Sequence, residues 1–211
     1  MPRADAAIDF KTEVVATSGI DFYAIWGVSA SDVFAGGIGG VLYHYNGAAW
    51  STISGYKALT KNDIRAFWGA SGSDVYAVCS GNGNEKILHY DGSALAAVSI
   101  TIPDEYPYAD YLRDYGFLDI WGVSATEIYL VMGQAIYFFN GSTIERMPSE
   151  PPPGYPYPEL SMYPAAIWGT SGSNIIAAGM DIYSYDGSKW HLMHDLADGL
   201  YFKDVWGSSA T

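Results

Sequence analysis

The stretch IWGVSASDVFAGG at residues 25–37 decides the fold, because the chain writes it again. It returns as FWGASGSDVYAVC at 67–79, IWGVSATEIYLVM at 120–132 and IWGTSGSNIIAAG at 167–179, and a fifth copy, VWGSSAT, occupies 205–211. The Trp-Gly pairs begin at Trp26, Trp68, Trp121, Trp168 and Trp206. Self-similarity at a period of roughly 40–50 residues is the mark of an architecture built from one repeated supersecondary unit.

A second motif runs in step with the first. HYNG (44–47), HYDG (89–92), FFNG (138–141) and SYDG (184–187) place Asn-Gly or Asp-Gly after an aromatic run. That dipeptide signals a hairpin, and the reading here is a type I′ turn with positive φ at both central residues. Each unit then resolves into four short strands: FYAIWG, DVFAGG, VLYHY and AWSTIS in the first copy. Ser29 and Asp32 fall in the turn joining the first two strands, where their side chains are expected to bond backbone amides. Asp74, Glu127 and Asn174 hold the place of Asp32 later on, so polarity is kept while charge is not. This suits a structural turn better than a catalytic carboxylate.

Four strands per unit at this period specify an all-β fold, a β-propeller of four-stranded antiparallel blades. One sheet cannot bury both faces alone, so blades stack around an axis and the repeated Trp fills the layer between them. The blades are expected at about 21–54, 63–100, 116–147 and 163–196, within a single domain spanning 1–211. An extra outer-type strand is expected at 8–17 (IDFKTEVVAT) and an extra inner-type strand at 201–207 (YFKDVWG). These flanking strands make the chain read as a fragment of a longer propeller whose remaining blades complete it. The alternative is a closed four-bladed ring clasped by them.

Composition agrees with a turn-rich β protein. The 211 residues include 24 Gly and 18 Tyr but only 10 Lys plus Arg, and the formal net charge is −13. That charge excludes a nucleic-acid partner, which needs clustered Lys and Arg. No apolar run reaches the roughly 18–20 residues a membrane helix requires, so no membrane insertion is expected. The lone Cys79 reads as a small buried apolar residue and permits no internal disulfide. The opening MPRADAAIDF shows no signal-peptide pattern.

The pattern WGxSxxDVxAxG…HYDGxxW resembles the Trp-Gly/Asp-box-like propeller repeats of exported bacterial proteins, over residues 21–211. It is also similar to tectonin-type lectin repeats, through Trp50, Ile53, Gly55 and Leu59 ahead of Trp68, but departs from them at HYDG. Sialidase Asp-boxes separate Asp and Gly by one residue, whereas Asp186 and Gly187 are adjacent. The resemblance therefore implies a hairpin of related shape and no glycosidase site. It also implies an extracellular or cell-surface location.

In a propeller the connections between second and third strands, and between successive blades, share one face. Those connections vary here: CSGNGNEK (79–86), PDEYPYADYLRDYGF (103–117) and PSEPPPGYPYPELSMYP (148–164). Variable loops on a rigid frame carry binding. The candidate ligand residues are Tyr106, Tyr108, Asp110, Tyr111, Asp114, Tyr155 and Tyr157, with Tyr rings suited to stacking on a sugar or a protein. No catalytic, cofactor or metal site is read from the sequence. His44 and His89 share a strand position, and His191 with His194 lacks a helix to make a metal pair. The functional reading is a non-catalytic binding or scaffold propeller recognising a glycan or a protein. The alternatives are a propeller enzyme, a glycoside hydrolase or lyase with acidic residues near the central channel, and a purely structural repeat module.

Overall fold

The computed structural model describes residues 19–81, 85–101, 116–149, 162–194 and 200–208. Sixteen strands are assigned in these residues. Blade 1 contains β1 (Phe22–Ser29), β2 (Asp32–Gly37), β3 (Leu42–Tyr45) and β4 (Trp50–Thr52). Blade 2 contains β5 (Asp63–Ser71), β6 (Asp74–Ser80), β7 (Lys86–Tyr90) and β8 (Leu95–Val98). Blade 3 contains β9 (Phe117–Ser124), β10 (Glu127–Met132), β11 (Ala135–Phe139) and β12 (Ile144–Arg146). Blade 4 contains β13 (Pro164–Ser171), β14 (Asn174–Gly179), β15 (Ile182–Tyr185) and β16 (Trp190–His194). Each blade is a four-stranded antiparallel meander in chain order, and the fold is a β-propeller. A single helical turn, α1 (Tyr56–Leu59), fills the connection from blade 1 to blade 2.

The Trp-Gly strands β1, β5, β9 and β13 pack side by side as the innermost layer. Three hydrophobic clusters lie between successive blades. Phe34 and Leu42 of blade 1 meet Phe67, Val75, Ala77 and Leu88 of blade 2. Trp68, Tyr76 and Val78 of blade 2 meet Ile120, Leu130 and Tyr137 of blade 3. Tyr129, Val131 and Ile136 of blade 3 meet Ile167, Ile175, Tyr183 and Trp190 of blade 4. Strand alternation makes this possible, since successive side chains point to opposite faces and each blade offers an apolar set to both neighbours.

The reason for the Trp-Gly pair lies in the same layer. Each Trp ring lies against the Gly of the next blade. A Cβ on Gly69 would stand 2.7 Å from Trp26 Cη2, and one on Gly122 would stand 3.0 Å from Trp68 Cζ2. On Gly169 it would meet Trp121 Cη2 at 2.8 Å, and on Gly207 it would meet Trp168 Cη2 at 2.7 Å. These glycines are required by close approach, because no other residue leaves room for the ring. Trp68 is buried, while Trp26, Trp121 and Trp168 are half-buried.

The hairpin reading needs one correction. The strands close at Tyr45↔Trp50, Tyr90↔Leu95, Phe139↔Ile144 and Tyr185↔Trp190, which leaves four-residue loops and no two-residue I′ turn. The Asx side chain explains the length by capping two amides. Asn46 Oδ1 accepts from the N–H groups of Ala48 and Ala49, both at 3.0 Å, and Asp91 Oδ1 accepts from Ser93 (2.9 Å) and Ala94 (2.7 Å). Those bonds hold the exposed Asp91 carboxyl down at about 2. Gly still serves positive φ, at 87° in Gly47 and 89° in Gly92.

Residues 8–17 lie outside the described residues. Residues 201–207 carry no assigned strand, since no second strand stands beside them among the described residues. They nevertheless follow the inner-strand path, with the Phe202 N–H donating to Gly179 O at 2.8 Å and Gly207 under the Trp168 ring. Ile25, on the outward side of β1, is 73% exposed, whereas its counterparts Phe67, Ile120 and Ile167 are 7, 4 and 4% exposed.

Trp121 packs against both the second and third clusters. Trp121→Ala is expected to lower the unfolding free energy by about 3–5 kcal/mol, as large core truncations do. Gly169→Val, which drives a side chain into the same ring, is expected to cost about 1–3 kcal/mol. Urea denaturation followed by intrinsic fluorescence measures both, and a loss below about 1 kcal/mol for Trp121→Ala would show the ring is not core.

Candidate functional site

The connections between blades and between second and third strands converge at the starting end of the inner strands. There the innermost side chains surround a cavity of about 350 Å³. Two registers of the repeat line it. Three residues before each Trp stand Tyr23, Arg65, Leu118, Ala165 and Lys203. Two residues before stand Ala24, Ala66, Asp119, Ala166 and Asp204. Small and apolar residues alternate with two cations and two carboxylates, and the surface they present to the cavity is mostly polar.

Asp119 is bound on both oxygens. Oδ1 accepts the N–H of Ile120 at 2.8 Å, and Oδ2 accepts the N–H of Ile167 at 2.8 Å. The carboxyl thus stitches β9 to β13 where no ladder joins them. Burial pushes it up to about 7, against the pull of the two N–H donors and with Asp204 adding a repulsive push. Asp204 repeats the first half of the arrangement, accepting the Val205 N–H at 2.8 Å. The cations rest on aromatic rings. The Arg65 guanidinium lies 5.1 Å from the Tyr23 ring centre and reaches Asp63 Oδ2 at 3.4 Å, and Lys203 Nζ lies 5.0 Å from the Tyr201 ring centre. Such cation–π seats hold charge at a cavity rim with little loss of hydration.

The sequence candidates Tyr106, Tyr108, Asp110, Tyr111, Asp114, Tyr155 and Tyr157 all lie outside the described residues. The described residues that flank their segments, Thr101 and Gly116 on one side and Ser149 and Met162 on the other, bracket the entries to β9 and β13. Ser80, at the end of β6, donates its hydroxyl to Phe117 O at 2.6 Å and so ties the neighbouring connection to the β9 entry. Among the described residues no helix is long and apolar enough to cross a membrane, and no group of three or more His, Cys, Asp or Glu side chains gathers as around a metal ion. Cys79 is buried, and burial pushes its thiol up to about 12.

The shared His position has a structural partner. His44 Nε2 meets Asp32 Oδ1 at 2.7 Å, and His89 Nε2 meets Asp74 Oδ1 at 2.7 Å. Each ring also stacks on an aromatic neighbour, Phe34 at 4.3 Å and Tyr76 at 4.4 Å between centres. Asp32 thus serves the histidine, while the amide bond expected in that turn comes from Ser29 Oγ, which accepts the Ser31 N–H at 3.2 Å. The signal for the couple was present in the repeats. Where Asp32 and Asp74 become Glu127 and Asn174, His44 and His89 become Phe138 and Ser184. The axial cavity had a signal too: Asp119 and Asp204 interrupt a register otherwise filled with Ala.

No protein-family model and no curated protein matches the sequence. Solved structures do match, and their likeness establishes the fold. YCF48 bound to a D1 peptide superposes with a TM-score of 0.60 at 10% identity, over 91% of this chain and 60% of that one. The extracellular domain of BT4673 from B. thetaiotaomicron gives 0.59 at 9% identity, over 97% of this chain and 26% of its own length. Virginiamycin B lyase from Staphylococcus aureus gives 0.59 at 13% identity, over 84% of this chain and 57% of the lyase. The chain spans less than two thirds of each of these proteins.

The raised Asp119 carboxyl has a measurable signature. Its folded value of about 7 lies above the roughly 3.9 of an unfolded Asp, so between these values the folded state holds a proton that the unfolded state lacks. The stability it contributes is fully present below about pH 4 and is lost as pH rises through about 7. Urea midpoints at pH 5 and pH 8 are expected to fall more for wild type than for Asp119→Asn. Equal declines in the two proteins would remove the effect from Asp119.

Proposed function

We propose that this chain is a non-catalytic binding propeller that takes a segment of a partner protein over the mouth of its axial cavity. The supporting observation is the convergence of Arg65, Lys203, Tyr23 and the carboxylates Asp119 and Asp204 on one cavity at the end from which the inter-blade connections leave. An extended segment offers backbone amides and carbonyls together with occasional charges. That mixture suits a rim with both signs of charge and ring-supported cations. A peptide-bound propeller, YCF48 with a D1 peptide, is among the solved structures of like fold. The net charge of −13 steers such a partner toward a basic or neutral overall character. The described residues that lead into β9 and β13, Gly116 and Met162, lie at the cavity end, and Tyr-Pro-Tyr at 106–108 and 155–157 precedes each of them in the sequence. An exported or cell-surface setting is part of the proposal, supported by the repeat resemblance and by the extracellular domain among the structural neighbours.

One observation favours a second reading as a hydrolase or lyase: two carboxylates, an Arg and a Tyr line a single cavity. Against it, both oxygens of Asp119 already accept backbone N–H groups that tie β9 to β13, so neither is directed at a substrate. A glycan ligand remains the other class to be tested.

A peptide library and a glycan array probed in parallel decide among these readings. Peptides are expected to bind wild type and to lose at least tenfold in affinity with Arg65→Glu, and again with the pair Tyr106→Ala/Tyr155→Ala, in proteins whose near-ultraviolet dichroism is unchanged. Binding that survives Arg65→Glu would remove the axial cavity. Glycan binding without peptide binding would replace the protein partner by a sugar.

A further inference from the structure

On the face turned to the following blade, the outer half of each blade repeats one arrangement. In blades 1 and 2 the third strand supplies a histidine that meets an acid of the second, His44 with Asp32 and His89 with Asp74. The fourth strand sets a small residue beside that histidine, Ser51 beside His44 and Ala96 beside His89. Blade 3 changes all three positions. The acid becomes the longer Glu127, the histidine becomes Phe138, and the small residue becomes Glu145, paired with Phe138 across β11 and β12.

The exchange leaves two carboxylates at the boundary between blades 3 and 4 with no imidazole beside them. Glu127 Oε1 accepts from the Tyr129 hydroxyl at 3.1 Å, a neutral donor. Among the described residues no Lys, Arg or His forms an ion pair with Glu127 or Glu145. Arg146 borders the same place, but it pairs with Tyr137, in the register turned to blade 2. Burial first, and then the charges of Asp186 and Glu127, push the nearby Tyr185 hydroxyl above its ordinary value, so the negative field reaches that ring.

A cavity of about 450 Å³ opens here, and three aromatic rings wall it. Tyr129 stands 5.6 Å from Phe138 at 63° and 6.2 Å from Tyr185 at 58°, between ring centres. Rings inclined this steeply enclose a space that parallel stacking would close. The corresponding ring pairs of blades 1 and 2 do stack: Phe34 with His44 at 16°, and Tyr76 with His89 at 21°.

We propose that this cavity is a binding site for an alkylammonium group, carried by a lysine side chain or by a small free amine. The faces of Phe138, Tyr129 and Tyr185 receive the cation and its methylenes, and Glu127 and Glu145 supply the opposite charge. Neither half suffices alone: the rings select an organic cation over a hydrated metal ion, and the carboxylates refuse an anion. The net charge of −13 gathers cations around the molecule. The site shares no residue with the axial cavity and does not rest on the function proposed for it.

Isothermal titration calorimetry on the whole chain tests this with three probes: the blocked tripeptide Gly-Lys-Gly, the same peptide with its lysine acetylated, and methylammonium chloride. The lysine peptide is expected to bind, and acetylation to weaken it about tenfold. Glu145→Gln, at an exposed position, is expected to weaken binding several-fold, and Glu127→Gln with Glu145→Gln about tenfold. Asp91→Asn is the control for overall charge, since it removes one carboxylate from another hairpin and keeps the amide cap that Asn46 makes. It is expected to bind as wild type does. Methylammonium binding as tightly as the peptide supports the site as one for free amines, and binding of the peptide about tenfold more tightly supports a partner's lysine. Equal binding of the acetylated peptide, no binding of either cation, or the same loss in Asp91→Asn as in Glu145→Gln would overturn the proposal.

Discussion

A Trp ring laid on the backbone of the next blade sets the spacing of this molecule. The ring needs a flat, side-chain-free surface within van der Waals reach, and only glycine provides it. Once Trp68 occupies the space over Gly122, the positions of β5 and β9 are fixed relative to each other, and the alternation along those strands decides which residues enter the layer between them. The three apolar clusters are consequences of that spacing. So is the cavity on the axis, because strands held apart by an indole ring leave room at their starting ends that Ala24, Ala66 and Ala166 do not fill.

Much of this fold was legible in the sequence because the sequence repeats. Trp-Gly marked the inner strand, Asn-Gly and Asp-Gly marked the outer hairpin, and the period gave four strands per unit. The hairpin loops were misread in detail. A dipeptide preference speaks for the tightest turn, while the Asn46 and Asp91 side chains hold two amides each and so stabilise a longer one. The assignment of Asp32 to backbone capping failed for a related reason. Its true partner, His44, is a neighbour across strands, and a reading confined to consecutive residues does not see it.

The candidate site was less legible than the fold. Loop composition drew attention to Tyr106, Tyr108, Tyr111, Tyr155 and Tyr157, which lie outside the described residues. The axial residues were hidden for the opposite reason. Arg65 and Asp119 sit inside regular strands, and Lys203 on the extended path that follows them, where charge reads as a solvated face. Only the superposed registers show that these side chains point to a shared axis. A single-copy protein would have concealed them; here three Ala in the same register, at 24, 66 and 166, made Asp119 conspicuous once the pairing was known.

The His–Asp couple of blades 1 and 2 bears on how such a chain can diversify. Blades 1 and 2 hold the position with a polar pair stacked on an aromatic ring, whereas blade 3 holds it with Phe138 against Tyr129, whose hydroxyl donates to Glu127 Oε1 at 3.1 Å and to Gly172 O of blade 4 at 3.2 Å. The two solutions differ at more than one residue: in each the carboxylate faces a glycine of the neighbouring blade's turn, Asp32 at Gly72 and Glu127 at Gly172, and the group that bonds it changes from the His44 ring to the Tyr129 hydroxyl. The carboxylate and the group that bonds it therefore change together from blade to blade, and the couple sets blades 1 and 2 apart from blade 3 independently of what any loop binds.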